Sequence, residues 1–148
     1  MFYSRFITSA TIILGIITLV VPTLSHANQH SIGDVTIHYN ALNSADIPAE
    51  VAASYKIDRN GRTGIINIAV FKNDQPVVAH VFGHGKNLLG QLKDLAFKEI
   101  REEQAIYYIA TYTFSDAEEV FFELNIQADK TGSLIPISFK KQLFRPHN

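Results

Sequence analysis

From residue 34 onward the chain runs in short stretches where apolar and polar residues alternate, separated by turn-forming residues. Period-two alternation is the mark of a half-buried strand. Residues 34–39 place Val35, Ile37 and Tyr39 opposite Asp34, Thr36 and His38, and residues 40–44 read as a polar loop. Residues 48–55 are the one helix candidate: Pro48 suits a first turn, Asp46 is placed to cap it and Glu50 favours its positive end. Asn60-Gly61 predicts a tight turn built on positive φ. Residues 64–72 are apolar on both faces, 73–76 turn, and 77–82 return as the second arm of a hairpin. Gly83 and Gly85 weaken a ladder, so 83–87 read as a loop or bulge. Residues 92–101 form a further strand, and 105–114, rich in Tyr, Ile and Thr, a central one. A turn at 115–118, alternation over 120–127, a turn at 129–132 and a last strand over 135–144 complete the chain; Pro136 confines that strand to an edge or its own start.

Seven short strands with tight connections predict an all-β fold: a seven-stranded antiparallel β-sandwich of immunoglobulin-like type, with one short helix after the first strand. A small barrel is the alternative. The core expected from the alternation is Val35, Ile37, Ile66, Ile68, Val70, Val81, Leu95, Phe97, Ile106, Tyr108, Phe122, Leu124, Ile137 and Phe139. Six Tyr and ten Phe, with no Trp, supply the aromatic mass, although Phe2, Tyr3 and Phe6 precede this region.

Those first residues follow another pattern. Arg5 precedes an apolar run over 6–21, Pro22 breaks it, and Ser25-His26-Ala27 sets small residues where a signal peptidase reads. A spanning helix needs about 20 apolar residues. The expectation is therefore a cleavable export signal over 1–27, a mature chain from Asn28 with no membrane span, and a periplasmic or secreted location. Residues 28–148 form one domain, large enough to bury its own core.

Composition narrows the function. Removing Arg5 leaves 12 basic against 14 acidic residues, a balance that does not suit nucleic acid. The chain has no Cys and its one Met is Met1, which removes thiol catalysis, disulfides and Cys- or Met-based metal sites. His80 and His84 stand about 13 Å apart on a strand rising about 3.3 Å per residue, too far for one ion with bonds of about 2 Å. Gly83, Gly85, Lys86 and Asn87 fail the phosphate-loop pattern, since His80 and Asn87 replace its first Gly and its Ser/Thr. Glu99, Glu102 and Glu103 could pair as catalytic carboxylates, but Arg101 on the face of Glu99 would hold that group ionised. No nucleophile elbow is present. The expectation is no metal and no cofactor.

The runs IHYNALNSADIPAEVAASYKI (37–57), HGKNLLGQLKDLAFKEIREEQAIYYIATYTFSD (84–116) and ISFKKQLF (137–144) resemble domain-of-unknown-function family 4426, small exported gammaproteobacterial proteins. The resemblance implies an exported β-sandwich-like domain and carries over no activity or catalytic residue. The function expected is a non-enzymatic binding or accessory domain for a protein or envelope component, acting as a monomer or weak dimer. The alternatives are a hydrolase or isomerase on an envelope substrate, and a subunit pairing through an edge strand. Loops on a rigid sandwich concentrate binding residues. The candidate contact residues are Asn40, Asn43, His84, Lys86, Asn87, Gln91 and Glu99.

Overall fold

The alternating runs fold into two antiparallel sheets that share one core. The computed structural model describes residues 28–129 and 132–146; the expected export signal, His147 and part of the 129–132 turn lie outside them. The strands are β1 (Asn28–Ile32), β2 (Val35–Asn43), β3 (Thr63–Lys72), β4 (Gln75–Pro76), β5 (Ala79–Asn87), β6 (Leu92–Asp94), β7 (Lys98–Arg101), β8 (Ile106–Thr113), β9 (Glu118–Ala128) and β10 (Leu134–Leu143). Helix α1 (Ala49–Tyr55) links β2 to β3. One sheet has the order β1-β2-β3-β8-β7, with β4 added to β3, and the other β10-β9-β5-β6.

The all-β expectation and the two-sheet arrangement hold, but the described residues contain ten strands, not seven, and α1 follows the second strand. β1 escaped the pattern because Asn28–Ser31 is polar and the whole strand is exposed. It is held through its backbone to β2, from Asn28↔Tyr39 to Ile32↔Val35. Residues 40–43 are strand rather than loop, because β3 continues to pair with them out to Asn43↔Gly64. The hairpin arm of β3 is the two-residue β4; its turn residues Asn73 and Asp74 both take positive φ, as a type I′ turn demands. The chain then crosses to the other sheet, where β5 pairs with β9 and not with β3. The expected strand over 92–101 is two strands, one in each sheet, joined across the sandwich edge by 95–97 with Leu95 buried.

The local turn chemistry also differs. Asn60 and Gly61 are not among the positive-φ residues. Instead Asn60 Oδ1 accepts from the Arg62 amide at 3.0 Å and the Thr63 hydroxyl at 2.8 Å, an Asx turn that needs no positive φ. Asp46 does not cap α1: it lies in a 3₁₀ turn over Ser44–Asp46, and Pro48 is the N-cap residue.

The core rests on the expected positions. Ile66, Ile68, Val70, Phe122, Leu124 and Ile137 are buried, and Phe97, Ile106 and Phe139 are partly buried against them. Tyr112 and Phe122 meet edge-to-face across the sheets with centroids 5.6 Å apart, and Phe139 stacks on Phe122 at 5.1 Å. Gly85 lies beneath this pair inside β5, so the glycines of 83–87 are strand residues and not a loop. A Cβ on Gly85 would stand 2.6 Å from Tyr112 Cε2, and one on Gly83 2.2 Å from the Glu123 carbonyl oxygen. The strand survives there because β9 pairs with it along its whole length.

Candidate functional site

β5 ends at Asn87, and a four-residue connection returns the chain as β6. Asn87 builds that connection. Its side chain is buried at 9% exposure, and Oδ1 accepts from the amides of Leu89 at 3.1 Å and Gln91 at 2.9 Å. Its Nδ2 donates to Gln91 Oε1 at 2.7 Å. Two backbone bonds close the turn, Asn87 N–H to the Gln91 carbonyl and Gly90 N–H to the Asn87 carbonyl, and Gly90 supplies the positive φ of 77°. A polar side chain facing inward thus turns the following residues outward. Leu88, Leu89 and Leu92 are 71%, 84% and 61% exposed. Lys86 pairs in register with Leu92, and Lys93 follows on β6. Lys93 Nζ donates to the Thr113 carbonyl at 2.5 Å and lies 4.8 Å from the Tyr112 ring centroid, tying β6 to the opposite sheet. The result is an apolar tip on a fixed hairpin.

The seven candidate residues separate into groups. Lys86, Asn87 and Gln91 come together at this tip, the last two as its internal brace. His84 stands one row away on the same sheet, with Nε2 2.9 Å from Glu123 Oε2. Asn43 is buried: it caps the 3₁₀ turn through the Ala45 amide and donates to the Phe144 carbonyl at 2.7 Å, fastening β2 to the end of β10. Asn40 lies in the middle of the other sheet, beside Asn67 on β3.

Glu99 sits on β7, where Arg101 Nε donates to Oε1 at 2.6 Å and the Tyr108 hydroxyl to Oε2 at 3.1 Å. The Arg101 guanidinium holds the Glu99 carboxyl below the usual carboxylate range, and Tyr108 adds to the effect. Burial pushes the Tyr108 phenol up. That hydroxyl also accepts from the Ala79 amide at 2.7 Å, so the cluster bridges the two sheets at the start of β5. A carboxylate braced in this way is a poor proton donor. Among the described residues, no three His, Asp or Glu side chains converge as a metal site would need.

Leu88 and Leu89 lie between the candidate residues Asn87 and Gln91, which were singled out for their polar side chains. An Asn that can reach back to the amides two and four residues on was the available signal that the polar group turns in and its neighbours out.

A family model described as "Domain of unknown function (DUF4426)" matches residues 29–146. A DUF4426 family protein from Pseudomonas aeruginosa is similar in structure, with 31% sequence identity and a TM-score of 0.73, covering 82% of this chain and 97% of that one. FetP of uropathogenic Escherichia coli shares the fold at 9% identity and a TM-score of 0.55, over 82% of this chain and 95% of its own. A copper-bound FetP variant gives 9% and 0.54, over 82% and 92%. No curated protein matches the sequence.

Proposed function

The chain belongs to the DUF4426 family, and on that premise we propose that it is an exported, non-enzymatic binding or accessory domain that holds a protein or envelope component with the tip of its β5–β6 hairpin. The observation that carries this reading is the arrangement at Asn87: five hydrogen bonds fix a turn whose outward residues are leucines. Burying a leucine side chain is worth about 1.5–3 kcal/mol. A turn already ordered does not have to lose further freedom on binding, so more of that gain appears as affinity. Lys86 and Lys93 flank the apolar patch as a polar rim.

The family match opens at residue 29, just past the expected cleavage point, which supports reading 1–27 as a removable export signal. The order β2-β3-β8-β7 facing β10-β9-β5-β6 supports an immunoglobulin-like sandwich with β1 and β4 as additions. The edge strand β10 carries Pro136, Lys140 and Lys141, which discourage a further strand from pairing there; that favours contact through the tip. The copper of the FetP variant has no counterpart in this reading, because the side chains present do not fit it: no cluster of three His, Asp or Glu lies among the described residues, and the chain has no Cys.

The test is affinity capture from the envelope fraction with the tagged protein, beside a Leu88→Ser/Leu89→Ser variant. The expected result is one abundant partner retained by the wild type and lost by the variant, with unchanged circular dichroism. Equal capture by both would reject the tip as the contact surface.

A further inference from the structure

The six-stranded sheet carries a cleft on its outer face, away from the tip. Ala69 on β3 forms its floor, with only 5% exposure. In the same row across the sheet stand His38 on β2 and Tyr107 on β8, one on either side of Ala69. Two strand spacings put their Cα atoms about 10 Å apart, leaving a slot between two rings. Phe71 closes one end and meets the His38 ring edge-on, with centroids 5.5 Å apart. Asn40 and Asn67, direct register partners, form the other end. The cleft holds about 260 Å³, below the range of about 300–1,000 Å³ that takes drug-sized ligands.

Two features define what would fit. The lining contains no Lys, Arg, Asp or Glu, so no permanently charged side chain there compensates a ligand charge. Asn67 Oδ1 is buried and accepts no hydrogen bond from any described residue. Buried acceptors of this kind are rare in folded proteins, and each calls for a donor. A primary amide both donates and accepts, so two of them side by side match neighbouring hydroxyls, which also do both. The faces of aromatic rings carry negative π density and attract C–H groups of positive character. A ligand suited to all of this is one uncharged ring with C–H groups on its faces and hydroxyls at its rim.

We propose that this cleft is a binding site for a single neutral saccharide ring, seated between His38 and Tyr107 over Ala69, with its hydroxyls on Asn40 and Asn67. Turning the Asn67 amide so that Oδ1 faces the cleft lets a sugar hydroxyl donate to it. Phosphorylated or carboxylated sugars meet no permanent cation there and are disfavoured.

The test is a ¹H–¹⁵N titration of the purified protein with methyl β-glucoside, glucose 6-phosphate and benzamide in parallel, each taken to about 20 mM, some twenty times a Kd of about 1 mM. The expected result is saturable shifts with the glucoside at the Asn40 and Asn67 side-chain amides and at the Ala69 and Tyr107 backbone amides, with none at Leu88 or Leu89. Glucose 6-phosphate should bind at least tenfold more weakly. Asn67→Leu should weaken the glucoside at least tenfold, and Asn40→Leu should do so independently if the first variant folds poorly. No glucoside shifts in the wild type would overturn the site. Equal or larger shifts with benzamide would overturn the saccharide assignment, as would tight binding of the phosphate ester.

Discussion

Gly85 lies against the edge of Tyr112, so closely that a methyl group at Gly85 would stand 2.6 Å from Cε2 and 3.1 Å from Phe122 Cε1. The absence of a side chain on β5 is what lets the Tyr112–Phe122 pair span the two sheets. Gly85→Ala should therefore act as overpacking and cost about 1–3 kcal/mol. In urea the midpoint should fall with the slope unchanged. A wild-type midpoint would mean that the ring has room to move.

Asn87→Ala should release the β5–β6 turn while leaving the sandwich folded. It removes the acceptor of the Leu89 and Gln91 amides and the donor to Gln91 Oε1, at a cost of about 1–2 kcal/mol. Hydrogen exchange should quicken at the Leu89 and Gln91 amides and stay slow in β3. Unchanged protection at both amides would show that Asn87 does not brace the turn.

The cluster of Arg101, Glu99 and Tyr108 predicts a pH dependence of definite sign. Because the folded Glu99 carboxyl is held below its ordinary value, chiefly by Arg101, its contribution to stability is complete above the ordinary carboxylate range. It is lost as pH falls through the depressed folded value. Carboxyl NMR should show Glu99 titrating below the usual glutamate range, and Arg101→Gln should move it upward. Tyr108→Phe should raise it too and, by leaving the Ala79 amide without its acceptor, cost about 1–2 kcal/mol. A Glu99 titration indifferent to both changes would contradict the assigned cause.

The protein recovered from the periplasm or the medium should begin at Asn28. Intact mass and N-terminal sequencing decide this directly; a full-length chain retaining Arg5 would contradict the export reading.

The core was legible where its strands obey period-two alternation, as Phe122, Leu124 and Ile126 do against Glu123 and Asn125, while Ile66, Ile68 and Val70 belong to a run that is apolar on both faces. What escaped lacks that signal. Asn28–Ser31 is polar, Ile32 is exposed, and the strand is held to β2 chiefly through its backbone. Gly83 and Gly85 look like a broken strand, because the reason for glycine is a ring and a carbonyl contributed by β8 and β9, distant in sequence. Residues 92–101 contain no Gly or Pro, so no turn-forming residue of that kind marks the passage from one sheet to the other. The candidate contacts divide the same way. Asn43, Asn87 and Gln91 are polar residues in turn-like segments, and their polarity serves the turns themselves. Asn40 gains a role only beside Asn67, which lies 27 positions further along the chain.

The central claim is that the leucine tip is the contact surface, and site-specific photo-crosslinking in intact cells tests it most directly. A photoreactive residue at Leu89 should give one discrete adduct, absent when the same residue replaces the exposed Glu103 outside the tip. Adducts at both positions, or at Glu103 alone, would contradict the claim.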